Sequence, residues 1–256
     1  MSRLDALGRS GVCHQLESVP SIGSTNVALL QRLAAGETIP ENHWLIADRQ
    51  TAGRGRVGRS WFDGHGNFMG STVAQVMHGD PLPQTLSLVA GIAVHRAVSS
   101  LMASDGLILK WPNDLLYRGK KLAGILLERQ GQNVVVGIGV NIAVAPQVAD
   151  RQTTSLLEQG CTIERDAFAH LLADHWLQVL NLWHSGMWNE LRSEWLRWAH
   201  SVGTMVSVKD SQHGELIGTF AGLGEDGTAY LRLADGQRHA IHAGDIEMVG
   251  NDAAGS

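Results

Sequence analysis

LILKWPNDLLYRGKKLAGILLERQGQNVVVGIGVN, residues 107–141, is the stretch on which the fold turns. Residues 107–109 are a short apolar run that reads as a strand. Pro112 ends it, because a proline drives the residue before it, Trp111, into extended backbone. Residues 122–127 and 134–140 are two more apolar runs of strand length. Gly131-Gln132-Asn133 between them is a turn signal, so the two runs read as a hairpin.

Outward from this hairpin the chain alternates between strand and helix patterns. Upstream, Leu86, Val89, Ala90, Ala93, Val94, Ala97, Val98 and Leu101 keep a helical period. Residues 44–47 are a buried-strand run. Val27, Ala28, Leu30 and Leu33 form the apolar side of another helix, with Ser24 at its N-cap and Gly36 at its end. Residues 13–19 read as a strand, and residues 48–67 as a polar, glycine-rich segment. Downstream, 168–183 and 188–198 are helical. From Thr204 the segments shorten, to 205–208, 218–220, 229–233 and 240–242, with turn signals at 222–227 and at Asp235-Gly236. The expectation is an α/β (α+β) domain over 1–203, followed by a small all-β unit of mini-barrel type over 204–256.

Composition bounds the function. The chain has 256 residues, 44% of them hydrophobic and 18% charged. That is enough to bury roughly 70–75% of the unfolded surface, and it excludes disorder as the dominant state. A net charge of −5 argues against a general nucleic-acid binder. Two cysteines, Cys13 and Cys161, make no disulfide framework and read as small packing residues in a reducing compartment. No apolar run reaches membrane-spanning length, and the first residues lack the apolar centre of a secretory signal. A cytoplasmic protein is expected.

Four motifs carry chemistry. Gly53-Arg54-Gly55-Arg56-Val57-Gly58-Arg59, followed by Trp61, is no core element. Its glycines let the backbone approach a ligand, and its arginines suit carboxylate or phosphate. Taken alone, such a loop is more often a solvated basic loop or a nucleic-acid patch. Lys110-Trp111-Pro112-Asn113-Asp114 puts Asn113 and Asp114 in a turn, and Lys121 then enters the next strand as a point cation; singly, these are ordinary turn and surface residues. Gly137-Ile138-Gly139-Val140-Asn141 ends a strand with glycines, which marks either close approach of a ligand or backbone, or a bulge. Ser24-Thr25-Asn26 opens a helix. Capping explains Ser24, and the same helix start suits a polar ligand group.

Together and in this order, with Lys121-Leu122-Ala123-Gly124-Ile125 between the second and third, these motifs resemble the biotin protein ligases from about His14 to the C-terminus. The resemblance implies a class II-synthetase-like catalytic domain, with a mixed sheet and flanking helices, and a small SH3-like C-terminal domain. It implies two half-reactions: biotin and ATP give biotinyl-5′-AMP and pyrophosphate, and biotin then passes to one lysine of a biotin carboxyl carrier protein domain. It implies that Ser24, Thr25, Asn26 and Gln50 line the biotin head-group end. Gly53, Arg54, Gly55 and Arg56 would wrap the biotin carboxylate and the adenylate phosphate, and Gly124 would allow close packing beneath them. Arg59, Trp61, Asn113 and Asn141 would lie on the nucleotide side. Lys121 would contact both the carboxylate and the α-phosphate, with Arg54 and Arg56 as its catalytic companions. Asp114 would assist catalysis or the placement of Mg²⁺. The glycine-rich loop over 53–66 is expected to order over its ligands.

Two departures stand out. Val57 occupies a position where some relatives carry another arginine, and Phe68 reads as a packing residue. Only residues 1–13 precede the resemblance, too few for a winged helix-turn-helix. A monofunctional ligase without DNA binding is therefore expected, as a monomer or an edge-strand homodimer, with no membrane partner. A lipoate or octanoate ligase or transferase of the same fold would carry an Arg-Arg-x-Ser-Gly-Gly-Gly run, which this sequence lacks. A nucleic-acid-binding module fits the arginine loop but not the acidic charge. The twelve histidines form no His-Glu-x-x-His pattern, and His239 and His242 are spaced to face opposite sides of a strand, so no structural metal is expected. Trp176, Trp183, Trp195 and Trp198 have the spacing of helix packing.

Overall fold

The computed structural model describes residues 14–148, 151–210, 214–242 and 244–249. Cys13 lies outside them. Strand β1 (Gln15–Val19) leads into helix α1 (Thr25–Ala34), which ends before Gly36 at φ +87°. Strands β2 (His43–Ala47) and β3 (Phe68–Gln75) follow, then helix α2 (Leu86–Ser99). The opening stretch forms β4 (Leu107–Lys110), β5 (Asp114–Tyr117), β6 (Lys120–Gln130) and β7 (Asn133–Val140). Helices α3 (Arg165–His184) and α4 (Trp188–Trp198) complete this part. The seven strands form one mixed sheet in the order β1-β2-β3-β7-β6-β5-β4, with β1 parallel to β2 and the other pairs antiparallel.

Strand alternation explains the layering. On β7, Val134, Val136, Ile138 and Val140 join the main core with α2, α3 and α4. Val135 packs in a second cluster with Leu29 of α1, and Gly137 and Gly139 share its face. The α1 side of the sheet thus loses its side chains toward one end, and a hollow forms there. On β6 the register skips Leu122 between the pairs Leu115–Ala123 and Leu116–Lys121. One extra residue reverses the alternation, so Lys121 turns to the same face as Gly124, Leu126 and Glu128.

Several expected elements need correction. Residues 68–75 form a central strand that the polar Ser71 and Thr72 conceal; both are fully buried and hydrogen-bonded. Asp114 lies not in the turn but at the start of β5, paired with Lys110 and Gly124, and the Trp111–Pro112 peptide is cis. The Gly-x-Gly at 137–139 makes no bulge, since both of its ladders run in unbroken register.

The chain continues as β8 (Met205–Asp210), β9 (Gly214–Leu223), β10 (Ala229–Arg232), β11 (Arg238–Ile241) and β12 (Ile246–Met248). These form a separate five-stranded antiparallel sheet in the order β11-β10-β9-β8-β12. Strand β9 is longer than its apolar centre suggests, β12 has no sequence counterpart, and His242 falls just past β11. Val206, Phe220, Leu231 and Ile241 continue the main core into this sheet. The Trp111 indole donates to the Gly227 carbonyl at 3.0 Å, and the Trp188 indole donates to the Glu225 carbonyl. Trp176, Trp183 and Trp195 are buried, and Trp198 stacks on His95 at 4.4 Å. Cys161 packs half-buried against the core. Among the described residues no helix is long and apolar enough to cross a membrane.

Candidate active site

The hollow on the α1 face is a cavity of about 380 Å³. One end is polar and built at the start of α1. Ser24 occupies the N-cap position but its side chain makes no capping bond, contrary to the expectation that capping accounts for it. Gln50 Oε1 accepts from the Thr25 backbone N–H at 2.8 Å, a donor that an N-cap side chain does not serve. Ser24 itself lines the cavity. Thr25 Oγ1 lies 2.6 Å from Ser71 Oγ, and Ser71 donates to Asn26 Oδ1 at 2.6 Å. Asn26 Nδ2 in turn donates to Glu128 Oε2 at 3.0 Å. Asn26 and Ser71 are almost wholly buried, so this chain of bonds fixes each amide and hydroxyl orientation.

The floor is glycine. A Cβ on Gly137 would stand 2.2 Å from Asn26 Oδ1, and one on Gly139 would stand 2.2 Å from the Trp61 ring. A Cβ on Gly124 would come 3.0 Å from Trp61 and 3.1 Å from Lys121 Nζ. The close approach expected of these glycines is therefore made first by neighbouring side chains. Trp61 lies across β6 and β7, with its indole nitrogen buried and unpartnered among the described residues.

The arginine loop folds back on itself as a small hairpin: Gly55 N–H donates to Arg59 O and Trp61 N–H to Gly53 O. Gly53 is the one expected site residue off the cavity wall, and its missing Cβ makes room for the Trp61 carbonyl 2.9 Å away. Val57 sits at the exposed tip with φ 54°, a strained conformation for a β-branched residue. Arg54, Gly55, Arg56 and Arg59 all reach the wall.

Arg54, Arg56, Arg59 and Lys121 each face a carboxylate. Arg54 pairs with Glu128 at 2.9 Å, Arg56 and Arg59 with Asp245 at 3.0 and 2.6 Å, and Lys121 with Asp114 at 2.6 Å. Arg56 also donates to Asn113 Oδ1 at 3.2 Å, while Asn113 Nδ2 donates to the Ile125 carbonyl at 2.6 Å. Burial pushes the Asp245 carboxyl upward, but the Arg59 hydrogen bond and the charges of Arg59, Arg56 and Lys110 outweigh it and hold it below the usual carboxylate range. Asn141 borders the cavity, yet its Nδ2 is already given to the Thr154 carbonyl at 3.1 Å; it anchors the chain over 153–156.

Ser71, Glu128 and Asp245 have no counterpart among the expected site residues. Glu128 was accessible from sequence, since it continues the alternation Gly124, Leu126, Glu128. Asp245 was not, because it arrives from the distant loop just before β12. Among the described residues no cluster of three histidine, cysteine or acidic side chains could hold a metal ion. Asp114 is committed to Lys121, so a divalent ion here would find its ligands mainly on a phosphate substrate.

A cavity with neutral donors at one end and clustered cations at the other suits a molecule with an uncharged polar head and an anionic tail. Known proteins narrow this. The biotin/lipoate A/B protein ligase family model matches residues 19–143. The chain is 34% identical over 249 residues to the biotin--[acetyl-CoA-carboxylase] ligase of Mycobacterium tuberculosis, covering 94% of this chain and 91% of that one. It is 35% identical over 238 residues to the ligase of the same name from Paracoccus denitrificans, covering 87% and 96%. A solved biotin protein ligase from Aquifex aeolicus, in complex with biotin and ATP, matches with a TM-score of 0.78 at 26% identity, over 91% of this chain and 97% of that one.

Proposed function

Since the chain belongs to the biotin protein ligases and so activates biotin with ATP for transfer to a carboxylase carrier protein, we propose that the cavity runs both half-reactions on the residues named above. The observation that carries this reading is the meeting of Arg54, Arg56, Arg59 and Lys121 with the Ser24–Thr25–Asn26 end in one cavity.

Biotin lies with its ureido head among Ser24, Thr25, Asn26 and Gln50, and its carboxylate toward Lys121 and the arginine loop. The carboxylate oxygen attacks the α-phosphorus of ATP, the bond to the bridging oxygen breaks, and pyrophosphate leaves. Two anions must meet, so repulsion is the main obstacle. Lys121, Arg54 and Arg56 offset it and stabilise charge on the five-coordinate phosphorus. Arg59 and Asn113 hold the nucleotide side, and Trp61, laid over Gly139 beside Lys121, separates the two ends. A magnesium ion entering with ATP would supply further neutralisation of the phosphate charge.

In the second half-reaction the neutral carrier lysine amine attacks the acyl carbonyl, the C–N bond forms as the C–O bond to phosphate breaks, AMP departs with that electron pair and the amine proton is released to solvent. The loop excludes water from the labile acyl-adenylate meanwhile. Residues 204–256 act with 1–203 through Asp245, which ties Arg56 and Arg59 across the junction. The protein works in the cytoplasm on a carrier lysine, and the arginine loop is a substrate loop, not a DNA contact.

The test is pyrophosphate release with ATP and Mg²⁺ and with biotin, lipoate or octanoate added in turn, read with mass spectrometry of the bound product. Biotin-dependent release with biotinyl-AMP bound is expected. Release with lipoate or octanoate alone would overturn the specificity.

A further inference from the structure

Glu128 belongs to no motif of the sequence, yet it stands between the two halves of the site. It faces the cavity side of β6 because the alternation that starts at Gly124 carries it there. Its side chain is largely shielded, with 19% of its surface exposed. One carboxylate oxygen accepts from Asn26 Nδ2 at 3.0 Å, and the other pairs with Arg54 at 2.9 Å. Asn26 is fixed from its other side by Ser71, so its amide cannot turn over to meet a different partner. Arg54 is half-exposed, and among the described residues this ion pair is its side chain's one polar anchor. A pair of that exposure adds little to the stability of the fold. Its consequence is orientation: a long, flexible guanidinium is aimed from a point that is itself fixed by the head-group network.

We infer that Glu128 is a positioning residue for adenylation, holding Asn26 and Arg54 in register so that the head-group donors and the first arginine of the anion loop keep one geometry. A carboxylate does this because it offers one acceptor oxygen to each partner. Glutamine keeps an acceptor for Asn26 but turns an N–H₂ donor toward the guanidinium. The inference rests on the residue roles proposed above for Asn26 and Arg54.

The experiment uses the full chain and compares wild type, E128Q, E128A, R54A and E128Q/R54A by pyrophosphate release over biotin and ATP, with thermal unfolding of each. E128Q is expected to unfold with wild type and to keep KM for biotin within about twofold. Its kcat for adenylation is expected to fall about tenfold, less than the 10²–10³ typical of deleting a preorganised donor outright. E128A is expected to raise KM for biotin as well. The double variant is expected to be no slower than R54A, because the two residues act as a unit. Wild-type or faster adenylation by E128Q, or a loss that only tracks the folded fraction, would overturn the inference. R54A adenylating at the wild-type rate would instead overturn the role given to the loop.

Discussion

Gly137→Ala changes one hydrogen into a methyl group and is expected to disable the head-group end. The backbone tolerates alanine, since Gly137 lies in regular strand register on both sides and has no positive φ. On propensity alone the change favours the strand by about 0.5–1 kcal/mol. The new methyl, however, would stand 2.2 Å from Asn26 Oδ1, 2.8 Å from its Cγ and 3.0 Å from its Nδ2. Relief requires Asn26 to retreat by about 1 Å, because contacts below about 3.4 Å are repulsive. That movement breaks the bonds to Ser71 at 2.6 Å and Glu128 at 3.0 Å. Overpacking costs about 1–3 kcal/mol, and stranding buried polar atoms adds about 1–3 kcal/mol each. The net destabilisation is expected at about 2 kcal/mol after relaxation, and KM for biotin is expected to rise about 10- to 100-fold, at 1.4 kcal/mol per tenfold. Pyrophosphate release against biotin concentration, with a denaturant melt, measures both. The double variant Gly137→Ala/Asn26→Ala should be no worse than Asn26→Ala alone, since removing the amide removes the clash. A Gly137→Ala enzyme with KM within twofold of wild type would refute the reasoning.

Lys121→Met should slow adenylation by 10²–10³, and adding Asp114→Asn should recover part of the loss by removing the carboxylate left unpaired among incoming phosphates; single-turnover kinetics would show it. Asp245→Asn frees Arg56 and Arg59 together, and about tenfold slower adenylation with little change in KM for biotin is expected; steady-state kinetics with each substrate varied tests this. Burial lowers the His95 pKa to about 4. Below its ordinary value near 6.5 the unfolded chain takes up the proton first, so stability should fall between pH 6.5 and 4 by up to about 3 kcal/mol; His95→Phe should flatten that slope in urea melts. Burial opposes charge on His184, but Asp80 and Glu41 at 3.0 and 3.1 Å outweigh it and raise the pKa. Its stabilisation is complete below about pH 6.5 and is lost as pH rises through the raised value, so a His184→Gln variant should show less decline in denaturant midpoint over that range.

The β6–β7 hairpin, helices α1 to α4 and the change of character after Thr204 were legible in sequence, because each rests on a local period or a turn residue that acts within a few positions. The site motifs were legible for a related reason: Gly-Arg repeats have no use in a core, and the order of these motifs along the chain carries the family resemblance. Strand β3 was hidden because Ser71 and Thr72 are buried polar residues, and their burial is tolerable only when partners come from α1 and β2. Strand β5 was hidden because four residues show no period.

Residue types and order thus determined the fold family, the chemistry and most of the cavity wall. Tertiary structure decided which atoms meet. The first N–H of α1, on Thr25, is taken by Gln50, 25 positions along the chain. The glycines of β7 are needed because Asn26 and Trp61 lie over them. The arginine loop is held by Glu128 of β6 and by Asp245, which just precedes β12. These contacts leave no local trace, because hydrogen bonds and ion pairs depend on distance in space, and the packing of elements far apart in sequence sets that distance.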